Sequence, residues 1–282
     1  MPPSSEIQAS NPETIAFIGA GNMARSLVGG LVARDKPAAA IRVAEPVAEL
    51  RDAMQRDFGV AVFVEGADAV AGAATWVLAV KPQVLRSVCA ALAPLAQASQ
   101  PLVVSVAAGI TAAQLERWLG GDVAVVRCMP NTPALLGAGV TGLYANPRVG
   151  ADGRRRAQAL LAAVGATVWL DDEARMDAVT AVSGSGPAYV FLLAEAMQAA
   201  AIAEGLPAEA ARTLVLQTIL GAARMLTEDD ADAGELRRRV TSPGGTTQAA
   251  IEAFEAGGLR ELVADAIAAA TLRGRQLSAA ND

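Results

Sequence analysis

Residues 14–18 form a short apolar run with no polar alternation, after which Gly19-Ala20-Gly21 turns the chain into a segment whose apolar positions recur at helical spacing to about Val32. An unalternated run of this length predicts a strand buried on both faces, and the 3.6-residue recurrence predicts a helix. The same reading gives a second strand at 41–44 and a helix at 47–58. Further buried strands follow at 61–64, 76–80, 102–106 and 123–127, with helical patterns between most of them. Strands alternating with helices predict a mostly parallel sheet covered on both faces. A Pro/Gly-rich passage occupies 129–142 and a last helix-strand piece spans 151–170, after which strand patterns cease. Residues 188–203 are apolar nearly all round, interrupted mainly by Glu195 and Gln198. A helix of that kind must be buried on most sides. The region 171–282 is small for enclosing it, so the pattern predicts a homodimer in which the partner's helices supply the cover; burial within its own chain is the alternative.

The fold class expected is therefore α/β, an N-terminal Rossmann-type doubly wound sheet followed by an all-helical C-terminal domain. The divisions are a loose tail at 1–12, a dinucleotide-binding domain at 13–170 and a helical domain at 171–282. A length of 282 residues suits two domains. Apolar residues make up 53% and aromatics 4%, so alanine carries much of the hydrophobicity and favours helix. The longest apolar runs are read at 69–80 and 102–113, both shorter than the ~18 to 20 residues that span a bilayer, and no membrane association is expected. Residues 1–12 are polar, with Pro2, Pro3 and Pro12, and lack the basic and apolar blocks of a signal peptide, which points to the cytoplasm.

A net charge of −6 argues against a nucleic-acid partner. The run Arg237, Arg238, Arg239 reads as a solvated helix face, or as a means of steering a carboxylate toward the loop that follows. Cys89 and Cys128 lack metal spacing and read as reduced packing residues. The chain contains no histidine. That excludes a histidine acid, base or metal ligand, and no metal is expected.

Strand, glycine turn, helix is the order a dinucleotide site needs. Gly19 permits the tight bend, Gly21 lets a pyrophosphate approach the backbone, and Ala24 stands where helix and strand pack closely. Glu45, 24 residues beyond Gly21, ends the second strand and suits a ribose diol, favouring NADH. Arg42 and Arg51 are near enough in sequence to compensate a 2′-phosphate, and Glu45 can also be read as a solvated strand-end residue. Lys81, in Ala79-Val80-Lys81-Pro82-Gln83, follows the fourth strand at the end where ligands of parallel sheets gather, or it is a surface lysine before a helix-starting proline.

The loop Ser242-Pro243-Gly244-Gly245-Thr246-Thr247 precedes an amphipathic helix starting near Gln248. Hydroxyls, flexible glycines and a helix start together form a cradle for a small anion. An ordinary connection capped by Thr246 or Thr247 is the bland reading.

With these motifs in place, the chain resembles the pyrroline-5-carboxylate reductases over nearly its whole length. The resemblance rests on Phe17-Ile18-Gly19-Ala20-Gly21-Asn22-Met23-Ala24, on 79–83, and on Ser105-Val106-Ala107-Ala108-Gly109. It continues through Met129-Pro130-Asn131-Thr132-Pro133, Val182-Ser183-Gly184-Ser185-Gly186-Pro187-Ala188-Tyr189 and the 242–247 loop. It implies NADPH- or NADH-dependent hydride transfer to the iminium carbon of 1-pyrroline-5-carboxylate, giving L-proline. It also implies an interlocked homodimer through the C-terminal helices, in which one subunit's cofactor meets the other's helical domain, and further assembly into rings such as a decamer. By resemblance Ile18, Gly19, Ala20, Gly21, Asn22, Met23, Glu45, Ala79, Val80, Lys81 and Pro82 bind the cofactor, and the backbone of Ala107 and Ala108 approaches the nicotinamide. Ser242, Gly244, Gly245 and Thr246 hold the substrate carboxylate, and Thr247, the catalytic candidate, faces the ring nitrogen. Glu45 departs from the small polar residue common in the family and puts the frequent NADPH preference in doubt. A β-hydroxyacid dehydrogenase would need a lysine near the start of the long helix, where this chain has Ser183-Gly184-Ser185-Gly186-Pro187. A non-catalytic dinucleotide sensor would leave the 242–247 loop unexplained.

Overall fold

The computed structural model describes residues 13–281, so the tail expected at 1–12 lies outside the described residues. Two compact units divide the chain, one running to Gly184 and resuming at Thr271, the other Ser185–Ala270.

The first unit follows the predicted alternation: β1 (Ile15–Ile18), α1 (Asn22–Val32), β2 (Ile41–Ala44), α2 (Ala48–Phe58), β3 (Ala61–Phe63), α3 (Gly66–Val70), β4 (Thr75–Leu78), α4 (Pro82–Ser99), β5 (Leu102–Ser105), α5 (Ala112–Trp118) and β6 (Ala124–Met129). It continues with β7 (Gly139–Ala145), α6 (Ala151–Ala162), β8 (Gly165–Leu170) and α7 (Met176–Val179). The strands form one sheet in the order β3-β2-β1-β4-β5-β6-β7-β8, with β6–β7 as its antiparallel pair. Side chains alternate along each strand, so each face carries its own core. Phe17, Val43, Val77, Val104 and Val126 pack with Leu27 and Leu161 of α1 and α6. Ala16, Ile18, Trp76, Leu78, Val103 and Val125 pack with Leu85, Cys89 and Leu115 of α4 and α5. Burial of the thiols raises both cysteine pKa values, that of Cys89 to about 12.

β7 departs from expectation, since 129–142 was read as an irregular passage. Its glycines are there because neighbours come close rather than because the chain turns. A Cβ at Gly139 would stand 2.9 Å from the Ala134 backbone, and one at Gly142 would stand 2.6 Å from the Val179 side chain. Past β8 the chain leaves the sheet at an ionic knot. The buried Arg127 guanidinium on β6 donates to Glu173 at 3.2 Å and lies 3.6 Å from Asp177. The Glu173 carboxylate also accepts the Ala112 N–H at 2.7 Å.

The second unit contains α8 (Gly186–Ala203), α9 (Ala208–Glu228), α10 (Ala233–Arg239), α11 (Thr246–Ala256) and the start of α12 (Leu259–Ala280). The alternative of self-burial for 188–203 does not hold. Along α8 only Ala194 is buried, while Phe191 and Leu192 are 67% and 66% exposed. Among the described residues one helical stretch, Glu173–Ala203, is long and apolar enough to cross a bilayer by length and composition alone.

Candidate cofactor and substrate sites

Parallel pairing in register brings the C-terminal ends of β1, β2, β4 and β5 to one edge of the sheet. The order reverses at β1, which lies between β2 and β4, and that is where an open parallel sheet receives its ligand. Gly19 bonds across to Ala44 O at 2.8 Å, Ala79 N–H to Ile18 O at 2.8 Å, and Val106 N–H to Leu78 O at 3.1 Å. Thus Ile18, Gly19, Ala20, Ala79 and Val80 share one edge with the approaches to Ala107 and Ala108.

Gly19 has φ +103°, and a Cβ on it would meet Ala79 O at 2.7 Å. At Gly21 a Cβ would meet no protein atom within 4 Å, so the space beside the turn is open. Gly21 is the N-cap of α1 and no side chain caps it. The N–H groups of Asn22, Met23 and Ala24 are the ones a helix leaves without intrahelical partners, and they carry the positive end of its dipole. An anionic pyrophosphate fits both the open space and these donors.

Glu45 is buried rather than a solvated strand end. One carboxylate oxygen accepts the Ala20 N–H at 2.9 Å and the other the Val47 N–H at 3.0 Å. Lys81 is exposed and serves as the N-cap residue of α4, with Pro82 beginning the helix. Ala107 is buried and Ala108 exposed. The loop they occupy is braced by residues to which the sequence assigned no role. Ser105 Oγ accepts the Ala107 N–H at 3.4 Å, and Asn281 Nδ2 donates to Gly109 O at 3.2 Å. The Asn281 contact spans most of the chain, and no local pattern marks it.

Asn131 ties the Met129-Pro130-Asn131-Thr132-Pro133 block to the segment before α8. Its side-chain amide donates to Ser183 O at 3.1 Å and accepts the Val140 N–H at 2.9 Å. The chain there is a π-helical turn, Thr180–Gly184, and a Cβ on Gly184 would lie 2.5 Å from the Met129 side chain.

In the second unit Gly244 has φ +70°, in the left-handed region. Gly245 is the N-cap of α11, and no side chain caps that helix, so the threonine-capped connection is not what forms. The N–H groups of both loop glycines are already used within the loop. Gly244 N–H is taken by Gln248 Oε1 at 2.7 Å and Gly245 N–H by Ser242 O at 3.0 Å. The donors left open are the first-turn N–H groups of Thr246, Thr247 and Gln248, together with the loop hydroxyls. Thr247 is half-buried and Ser242 exposed. The three arginines of α10 are all paired: Arg237 with Glu255, Arg238 with Glu235, and Arg239 with Asp229 and Glu235. All three are exposed, as a solvated helix face would have them.

Residues 173–277 match the family model "Pyrroline-5-carboxylate reductase dimerisation", and residues 14–109 match "NADP oxidoreductase coenzyme F420-dependent". A pyrroline-5-carboxylate reductase of Pseudomonas aeruginosa is 56% identical over 94% of this chain and 96% of its own length. The solved structure of a Coxiella burnetii pyrroline-5-carboxylate reductase superposes with a TM-score of 0.92 at 42% identity, over 95% of this chain and 99% of that one. A Plasmodium falciparum pyrroline carboxylate reductase with NADP bound gives 0.82 at 27% identity, over 94% and 98% of the two chains. With an identity of this size sustained across both the sheet and the helices, the chain belongs to the pyrroline-5-carboxylate reductase family.

Proposed function

We propose that the protein reduces 1-pyrroline-5-carboxylate to L-proline with NADH or NADPH. The observation that carries this reading is the pairing, in one chain of this family, of an uncapped helix start beside an open glycine turn with a second uncapped helix start behind a hydroxyl-bearing loop. The first suits a pyrophosphate and the second a small carboxylate. All the proposed cofactor residues lie in the first unit, and all the proposed substrate residues in the second.

Asn22, Met23 and Ala24 hold the pyrophosphate through their backbone, Glu45 takes the adenosine ribose, and residues 79–82 and 107–108 shape the remainder of the cofactor bed. The bound cofactor supplies a hydride. Ser242, Thr246 and the α11 N-terminus hold the substrate carboxylate, with Gly244 and Gly245 setting the loop's path. Thr247 Oγ1 orients the ring nitrogen. Because a protonated imine already draws electrons from its carbon, the residues need only position it and exclude water. Alignment of reacting groups can account for ~7 to 11 kcal/mol of a barrier, which explains a site without histidine.

The exposed apolar surface of α8 serves as a homodimer interface rather than a bilayer span, since it lies inside the stretch matching the dimerisation model. The assembly extends to a ring such as a decamer, and the protein works in the cytoplasm without membrane or nucleic-acid partners.

The direct test is the loss of reduced-nicotinamide absorbance when purified protein meets 1-pyrroline-5-carboxylate, with proline quantified. Stoichiometric proline supports the reading. No turnover with either cofactor, in folded protein that binds one of them, favours the non-catalytic sensor.

A further inference from the structure

Resting on the reductase reading, which sets the Ala107 and Ala108 backbone beside the nicotinamide, we infer that the end of α12 is a strut fixing this backbone, with Asn281 as a positioning residue for hydride transfer. α12 begins in the second unit, and from Thr271 onward the chain belongs to the first. Residues 274, 277, 278 and 281 recur at helical spacing, so they lie along one side of its last turns. Gly274 is buried against Asp177, and a Cβ on it would stand 3.2 Å from the Asp177 side chain. Asp177 in turn lies 3.6 Å from the buried Arg127 guanidinium of β6. The Ser278 carbonyl accepts Gln114 Nε2 at 3.2 Å. Gln114 is buried in the first turn of α5, where its Oε1 accepts the Thr111 N–H at 2.8 Å and completes the capping box of that helix. Leu277 and Asn281 reach the loop itself. The Leu277 Cβ stands 3.4 Å from where a Cβ on Gly109 would be, and Asn281 Nδ2 donates to Gly109 O at 3.2 Å.

The loop 106–111 is held at both ends by its own neighbours and in the middle by α12. Val106 N–H bonds to Leu78 O at one end, and Thr111 is held by Gln114 at the other. Between them the chain turns at Ala108 and Gly109, with Gly109 at φ +69°. The Ala107–Ala108 backbone therefore takes its direction from a turn whose carbonyl Asn281 holds. Nδ2 of Asn281 also donates to Leu277 O at 2.9 Å, so both of its partners are carbonyl oxygens. An amide nitrogen satisfies both; a carboxylate of the same shape would face both with no proton to give. One donor shared between helix and loop sets the gap between them. The hydride step is sensitive to that gap, because reacting atoms must be held at ~3 to 3.5 Å and in line.

The test compares wild type with Asn281→Asp and Leu277→Ala. Each is read by the fluorescence emission of bound NADH, by kcat and KM with 1-pyrroline-5-carboxylate, and by the isotope effect on kcat with NADH carrying deuterium at both C4 positions. Asn281→Asp is expected to lower kcat by roughly three- to tenfold, the scale of one hydrogen bond. The isotope effect should rise, because the hydride step is the one slowed, and the emission of bound NADH should shift. KM for the imine should stay within about twofold, since the proposed substrate residues belong to the other unit. Leu277→Ala should give the same signature in weaker form. Unchanged kcat in Asn281→Asp would overturn the assignment. So would a lowered melting temperature accompanied by the wild-type isotope effect and emission, which would make the contact structural only. Wild-type protein that binds NADH but reduces no imine would sink the reductase reading, and the emission of the two variants would then decide this one by itself.

Discussion

Gly19 is held to glycine by two independent constraints, a φ of +103° and an Ala79 carbonyl 2.7 Å from where a Cβ would sit. The motif marks the bend; the packing partner 60 residues away is visible only in the fold. Glu45 shows the same division, since its position at the end of β2 was legible and its capture by two N–H groups was not. Thr247 was singled out by its place in a hydroxyl-rich loop, and it lies half-buried in the first turn of α11. Thr247→Ala is expected to lower kcat by roughly ten- to a hundredfold, as loss of a hydrogen bond worth ~1.5 to 3 kcal/mol in the transition state would do. Cofactor affinity, measured by calorimetry on the same variant, should stay within about twofold, since the residue belongs to the other unit. Unchanged kcat would remove Thr247 from the mechanism.

Among the elements, the strands of the parallel half could be read because each is a short, mostly apolar run bounded by turns. β7 could not be read, because its glycines serve neighbours rather than the strand. Gly165 begins β8 with φ +151°, and a Cβ there would fall 1.9 Å from the carbonyl oxygen of Gly139, its cross-strand partner. No side-chain rotation relieves a clash with backbone. Gly165→Ala should therefore destabilise the protein by about 4 kcal/mol, read as a lowered urea midpoint, with the loss arising at the β7–β8 edge. A midpoint unchanged from wild type would mean that the edge strands part without cost. The helix starts of α1 and α11 make a complementary point. Gly21 and Gly245 occupy the cap positions without a side-chain acceptor, which leaves N–H groups for a ligand where serine or aspartate would have used them.

At the level of the whole molecule, the helical unit carries apolar surface that the chain itself does not cover. Phe191, Leu192, Leu214, Leu220, Phe254 and Leu262 are all exposed by about half or more. Exposed apolar area on this scale marks an interaction surface. The expected outcome is a dimer or larger ring in sedimentation velocity, and Leu192→Glu should shift the wild-type species toward monomer with loss of turnover. Retention of the wild-type sedimentation coefficient by that variant would place the interface elsewhere. The result would also separate the dimer reading from the bilayer reading of Glu173–Ala203, since a membrane helix would require detergent to stay in solution.

The sequence by itself determined the alternation of strand and helix, the glycine turn at the head of β1, the end of strand patterning after β8, and the hydroxyl loop before α11. All of these are short-range patterns, set by which side chains must face apolar neighbours and which backbone angles a residue tolerates. Only the tertiary structure decided that 139–145 pairs antiparallel against β6, that Glu45 is locked by Ala20 and Val47, and that Asn131 binds Ser183. It also decided that Arg42 and Arg51 donate to main-chain carbonyls and that the arginines of α10 pair with surface carboxylates. These are pairings between partners that folding brings together, and a polar side chain's partner follows from geometry in three dimensions rather than from its neighbours along the chain.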